Sequence, residues 1–135
     1  MIVQSAIDAT PDGDRDTDAT LLTIHAFNAA LNEHNIDAVM ALMTDDCIFE
    51  NTWPAPDGER YEGQAAVRAF WEKLIAGSPS AFFELEEIFA IGDRAAQRWR
   101  YTWTDAEGHP GHIRGVDLFR VTNGKVAEKL AYVKG

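Results

Sequence analysis

Three short turn signals, Gly92-Asp93, Ala106-Glu107-Gly108 and Asn123-Gly124, divide the C-terminal part of the chain into runs rich in β-branched and aromatic residues. Runs over about 81–91, 95–104, 112–122 and 125–133, joined by links this short, predict a meander of antiparallel hairpins. Ahead of them the apolar period is helical. From Ala19 to His34, Leu21, Leu22, Ile24, Phe27, Ala30 and Leu31 recur at helix spacing behind Asp18 as a cap. Asp37 caps a short second helix through Met43, and a third from Gly63 to about Ala76 carries Ala66, Val67, Phe70, Trp71, Leu74 and Ile75 on one stripe. Between these helices Cys47 to Trp53 alternates as a strand, ended by a loop through Pro54, Pro56 and Asp57-Gly58. Helices grouped first and strands last predict an α+β domain in the order ααβαββββ. Its antiparallel β-sheet is covered on one face by the three helices.

A chain of 135 residues forms one domain around one core. Residues 1–18, rich in Asp and Thr and without period, are expected to be a loose leader to a single domain over 19–135. The leader has no basic segment followed by an apolar stretch, and no run reaches the length of a membrane span, so a cytoplasmic, non-membrane protein is expected. A net charge of -10 repels nucleic acid and anionic lipid alike. Cys47, the only cysteine, excludes an internal disulfide and every paired-cysteine metal or redox site. Asp105, Glu107, His109 and His112 lie around a turn with Gly108 and Pro110, too loose a setting for a metal centre, so no metal is expected. No phosphate-cradling loop, nucleophile elbow or dinucleotide fingerprint is present, and no cofactor is expected.

Side chains of a strand alternate between faces, so charge and apolar area decide which set is enclosed. In the first strand Cys47, Phe49, Asn51 and Trp53 are expected to point inward, because the opposite set contains Glu50. In the run from Ala95, the set Gln97, Trp99, Tyr101 and Trp103 wins the enclosed side over Arg98 and Arg100. Around Asp117 the inward set is Ile113, Gly115, Asp117, Phe119 and Val121. An isolated Asp117 carboxyl among these neighbours would be desolvated and its pKa raised. The hairpin turn decides its environment: a two-residue Asn123-Gly124 turn sets Leu130 opposite Asp117, a three-residue loop with a bulge sets Lys129 there and keeps the carboxylate ionised. Phe27, Phe49, Trp53, Trp71, Trp99, Tyr101, Trp103 and Phe119 form an apolar chamber for an aromatic or polycyclic ligand, with the Tyr61 hydroxyl at its mouth.

Three stretches, FNAALNEHNIDAVMALMTDDCIFEN, YEGQAAVRAFWEKL and GVDLFRVTNGKVAEKLAYV, together resemble the nuclear transport factor 2-like superfamily. The branch is that of SnoaL-like polyketide cyclases and ketosteroid isomerase-like proteins, and the resemblance covers about Ala19 to Gly135. It implies a cone-shaped, curved, mixed but mainly antiparallel β-sheet wrapped against three N-terminal helices around a pocket, and frequently a homodimer. It also sets Asp117 at the functional aspartate of cyclase-like and isomerase-like relatives, as an acid/base or as a donor to a developing enolate.

The same resemblance places Phe27 where the isomerases carry their oxyanion-holding tyrosine and Asn51 where they carry their base. A phenyl ring and an amide do neither job, so steroid isomerisation by that mechanism is not expected. Asn51 also matches the water-holding asparagine of limonene epoxide hydrolases, whose arginine and paired aspartates fall near Trp99, Tyr101 and Ala131 here; that machinery is lost. The expectation is a cofactor-independent enzyme of cyclase or isomerase type, with Asp117 as acid/base and Asn51 as orienting group. Its substrate is a small apolar or aromatic carbonyl compound. A non-catalytic binding module and a dimerising interaction domain are the rival expectations.

Overall fold

The computed structural model describes residues 12–135, so most of the expected leader, 1–11, lies outside the described residues. Helix α1 spans Asp12–Asn32, starting well before Ala19. Two threonines account for the added turns. Thr20 Oγ1 donates to the Gly92 carbonyl at 2.7 Å, and the Gly92 amide donates to Thr17 Oγ1 at 2.8 Å, which ties the polar start of the helix to a distant hairpin turn. Ile24, Phe27, Ala30 and Leu31 form its buried stripe, whereas Leu22 falls off that stripe and is exposed.

Helix α2, Ile36–Ala41, is capped by Asn35 and not by Asp37: the Asn35 side chain accepts from the Ala38 amide at 3.1 Å, leaving Asp37 to pair with Arg68. Strand β1, Met43–Glu50, begins where a helix end was expected. After the proline loop, Arg60–Glu62 forms a short strand β2 that the sequence did not suggest, antiparallel to β1 with Tyr61 opposite Phe49. Helix α3 covers Gln64–Gly77 and buries Val67 and Trp71. Strands β3 (Phe82–Ile91), β4 (Arg94–Thr104), β5 (Pro110–Thr122) and β6 (Lys125–Val133) follow as the expected meander.

The six strands form one open sheet in the order β2-β1-β6-β5-β4-β3. Among the described residues only the β1–β6 contact is parallel. The fold is therefore the α+β architecture expected, with one added edge strand. Along β4 and β5 the predicted alternation holds: Gln97, Trp99 and Tyr101, with Gly115, Asp117, Phe119 and Val121, are buried under the helices. Arg98 and Arg114 lie on the opposite face, paired with Glu86 at 3.6 and 2.9 Å.

The β5–β6 hairpin turns through Asn123 and Gly124, both at positive φ (51° and 75°), the conformation for which Asn-Gly is suited. Thr122 faces Lys125 and Val121 faces Val126, but Arg120 faces Glu128. Ala127 is thus an extra residue in β6, and Val126 and Ala127 are buried in succession. Neither expected register occurs. Asp117 has Ala131 as its Cα partner, and Lys129 faces Phe119. The bulge moves Lys129 onto the inner face, beside Asp117 but not opposite it.

Candidate functional site

Beneath the helices the inner face of the sheet splits into a packed part and a hollow part. Phe27 and Phe119 belong to the packed part: both are fully buried, their rings meet edge-on at 6.1 Å, and neither borders the hollow. Tyr61 also differs from expectation. Its ring packs on Phe70 and Phe49 and its hydroxyl donates to Glu59 at 2.7 Å, away from the cavity. The hollow part is a cavity of about 520 Å³ between α3, β1 and β4–β6. Phe49, Trp71, Trp99, Tyr101 and Trp103 line it as expected, joined by Phe70, Leu74, Phe83 and Ile113.

Two glycines shape its wall. A Cβ on Gly115 would stand 2.6 Å from the Trp99 ring, and one on Gly111 would stand 2.6 Å from the Trp103 ring. Both indoles therefore lie down against β5 only because these positions carry no side chain. Burial pushes the Tyr101 phenol up from its ordinary pKa, an effect partly offset by its hydrogen bond with Ser78.

At the mouth stand Asn51 and Trp53. Trp53, expected inside, is 74% exposed because β1 ends at Glu50, though it still borders the cavity. Asn51 is half-buried and organises the proline loop: its Oδ1 accepts from the Glu59 backbone amide at 2.7 Å, and its own backbone N–H donates to the Glu59 carbonyl at 3.0 Å. Gly58 closes that loop at φ 70°, with its Cα so near the Asn51 carbonyl that a Cβ would collide with it. The amide oxygen of Asn51 is therefore committed to the loop, leaving its NH2 as the group available at the mouth.

The floor holds the charged groups. Lys129 Nζ lies 3.2 Å from Asp117 Oδ1, with side-chain exposures of 5% and 3%. Gln97 Nε2 donates to Asp117 Oδ2 at 2.9 Å, and Gln97 is itself held by Asn28, whose Nδ2 donates to Gln97 Oε1 at 2.7 Å. Asp117 is therefore buried as expected, yet it is not isolated. It also does not border the cavity, whereas Lys129 does. The Lys129 ammonium sits 4.9 Å from the Phe49 ring centroid and 5.6 Å from that of Trp71, a favourable cation–aromatic setting. Lys129 is the main element that alternation alone could not assign, because its face depends on the bulge.

At the β4–β5 turn, Asp105, Glu107 and His109 bring ligand atoms within 4.8 Å of one another, all exposed. Asp105 Oδ1 accepts from the amides of His109 and Glu107 at 2.8 and 2.9 Å, and these bonds, that of His109 foremost, hold its carboxyl below the usual range. This carboxylate serves the turn. His112 stands apart on β5, exposed. Among the described residues no helix is long and apolar enough to cross a membrane.

Comparison with known proteins agrees with this geometry. A family model for the SnoaL-like domain matches residues 24–129. A nuclear transport factor 2-like protein of unknown function from Mesorhizobium loti is 41% identical, with 88% of this chain and 93% of that one covered and a TM-score of 0.74. The Rv0760c protein from Mycobacterium tuberculosis, solved with estradiol-17beta-hemisuccinate, is 25% identical over 84% of this chain and 92% of its own, with a TM-score of 0.73. TerC, co-crystallised with polyporic acid, shares the fold at 16% identity and a TM-score of 0.74, over 86% and 92% of the two chains. No curated protein matches the sequence.

Proposed function

This chain belongs to the SnoaL-like domain family, and from that premise we propose that its cavity takes a small, largely apolar carbonyl compound and carries out cofactor-independent acid/base chemistry of the isomerase or cyclase type. The single observation behind this reading is the Lys129–Asp117 pair on the floor of a cavity otherwise walled almost entirely by aromatic and aliphatic side chains. Taking both charges out of water costs several kcal/mol, and hydrophobic replacement of such a pair is often neutral or stabilising. A pair retained next to a hollow, and not within solid core, is the arrangement expected of a functional site. That two structural neighbours were crystallised with small ring-bearing ligands supports the same use of the cavity here. In this scheme Asn51 orients the substrate from the mouth with its NH2 group, and Lys129, held by Asp117, acts as the acid at the carbonyl oxygen.

A second reading has its own support. Asp117, the carboxylate of the cavity floor, lies behind Lys129, so among the described residues the wall presents an acid and no base. This favours a module that holds a carbonyl compound without converting it. Hydrogen–deuterium exchange separates the two. Aromatic ketones with α-hydrogens are incubated with the protein in D2O and followed by proton NMR; exchange above the buffer rate supports the enzyme, and tight binding without exchange supports the carrier.

The outer sheet face combines exposed Leu118 and Tyr132 with Arg98 and Arg114, which suits a homodimer interface; light scattering showing a monomer at micromolar concentration would refute that assignment.

A further inference from the structure

Lys129 is the one charged side chain in the cavity wall among the described residues. An ammonium has three N–H donors. One is directed at Asp117 Oδ1, and the others meet no acceptor among the described residues, facing the rings of Phe49 and Trp71 instead. Asp117 is in the opposite situation. Its two oxygens are both occupied, one by Lys129 and one by Gln97, and it does not reach the cavity.

We infer that Lys129, and not Asp117, is the group that touches the ligand, donating a hydrogen bond from Nζ to a carbonyl oxygen, while Asp117 and Gln97 are positioning residues that hold the ammonium in place. This assignment rests on the reading of the cavity as a site for an apolar carbonyl compound. It also restricts the ligand. Lys129 and Asp117 together carry no net charge, so a carboxylate brought to the floor would add an uncompensated buried charge, whereas a neutral ketone satisfies a spare donor at no such penalty. If solvent water takes an α-proton from the ketone, the electron pair of that C–H bond ends as negative charge on the oxygen already facing Nζ, and a preoriented ammonium stabilises it without reorganisation. The amide pair behind Asp117 keeps the carboxylate from swinging out: Gln97 is fixed at one end by Asn28 and donates from the other.

The test uses 9-fluorenone and its oxygen-free counterpart fluorene. Calorimetry is expected to show 9-fluorenone binding the native protein about tenfold more tightly than fluorene, the usual effect of a hydrogen bond to a charged group. Infrared difference spectra with 13C-labelled carbonyl are expected to show the bound C=O stretch at lower wavenumber than in hexane. Because Lys129→Met alone strands the Asp117 charge, the comparison also includes the double variant Lys129→Met/Asp117→Asn. In both variants the affinity ratio should fall to near one and the C=O stretch should return to its hexane position. A merely structural lysine would leave that frequency unchanged from native to variant, and such a result overturns the assignment while leaving the cavity as a ligand site. Failure of both compounds to bind the native protein overturns the reading of the cavity and this inference with it.

Discussion

Phe119 and Lys129 are Cα partners across the β5–β6 ladder, and this pairing sets the lysine on the inner face, where its ammonium reaches Asp117. Breaking such a pair and deleting it have different consequences. Lys129→Met leaves a buried carboxylate without its cation and should destabilise the fold by about 3–5 kcal/mol, whereas Lys129→Met/Asp117→Leu removes both charges and should be close to neutral. Urea unfolding of the two variants reads this directly. Equal losses in both would mean that packing, and not charge, dominates the floor.

Packed core and cavity wall should separate on mutation. Phe27→Ala opens a void in fully buried core and should cost about 3–5 kcal/mol. Trp53→Ala, at a largely exposed position, should change stability by no more than about 0.5 kcal/mol, yet weaken binding of an aromatic ligand because the ring borders the mouth. Thermal unfolding with and without 9-fluorenone measures both effects.

Gly115→Ala forces a Cβ to 2.3 Å from the Tyr132 carbonyl and 2.6 Å from the Trp99 ring. The indole can lift into the cavity, but the Tyr132 carbonyl is backbone, so the β5–β6 ladder must shift as well. A loss of about 1–3 kcal/mol is expected, together with reduced ligand capacity. A stable variant with unaltered Trp99 fluorescence would contradict this account of the wall.

Stability should decline in alkali. Burial raises both the Cys47 thiol and the Tyr101 phenol, so each binds its proton more tightly folded than unfolded. Their contributions are complete below the unfolded values, about 8.5 and about 10, and are lost as pH rises through the higher folded values. The urea midpoint should therefore fall as pH rises above about 8.5. Cys47→Ala and Tyr101→Phe should each lessen that fall, with Tyr61, whose phenol burial also raises, carrying part of what is left, as denaturation at a series of pH values would show.

Much of this architecture is legible in the sequence, because the inner face of β4 and β5 follows from strict alternation and from the expense of burying Arg98 or Arg114. The family resemblance is equally visible in the spaced blocks, and the family match bears it out. Features set by a single inserted residue or by a distant partner are not legible in the same way. The Ala127 bulge reverses the face of everything after it, and nothing in VAEKLAYV marks it. The start of α1 depends on hydrogen bonds to Gly92, far along the chain. The chamber was expected to include Phe27 and Phe119, but aromatic content alone does not distinguish rings that fill a core from rings that border a hollow.

A brominated analogue of the probe ketone tests the central claim most directly. Crystals of the protein grown with 2-bromo-9-fluorenone and measured at the bromine absorption edge should give an anomalous peak inside the cavity, among Trp71, Trp99 and Tyr101, with the ketone oxygen within hydrogen-bonding distance of Lys129. An anomalous map with no peak there, or with bromine only on the exterior, would contradict it.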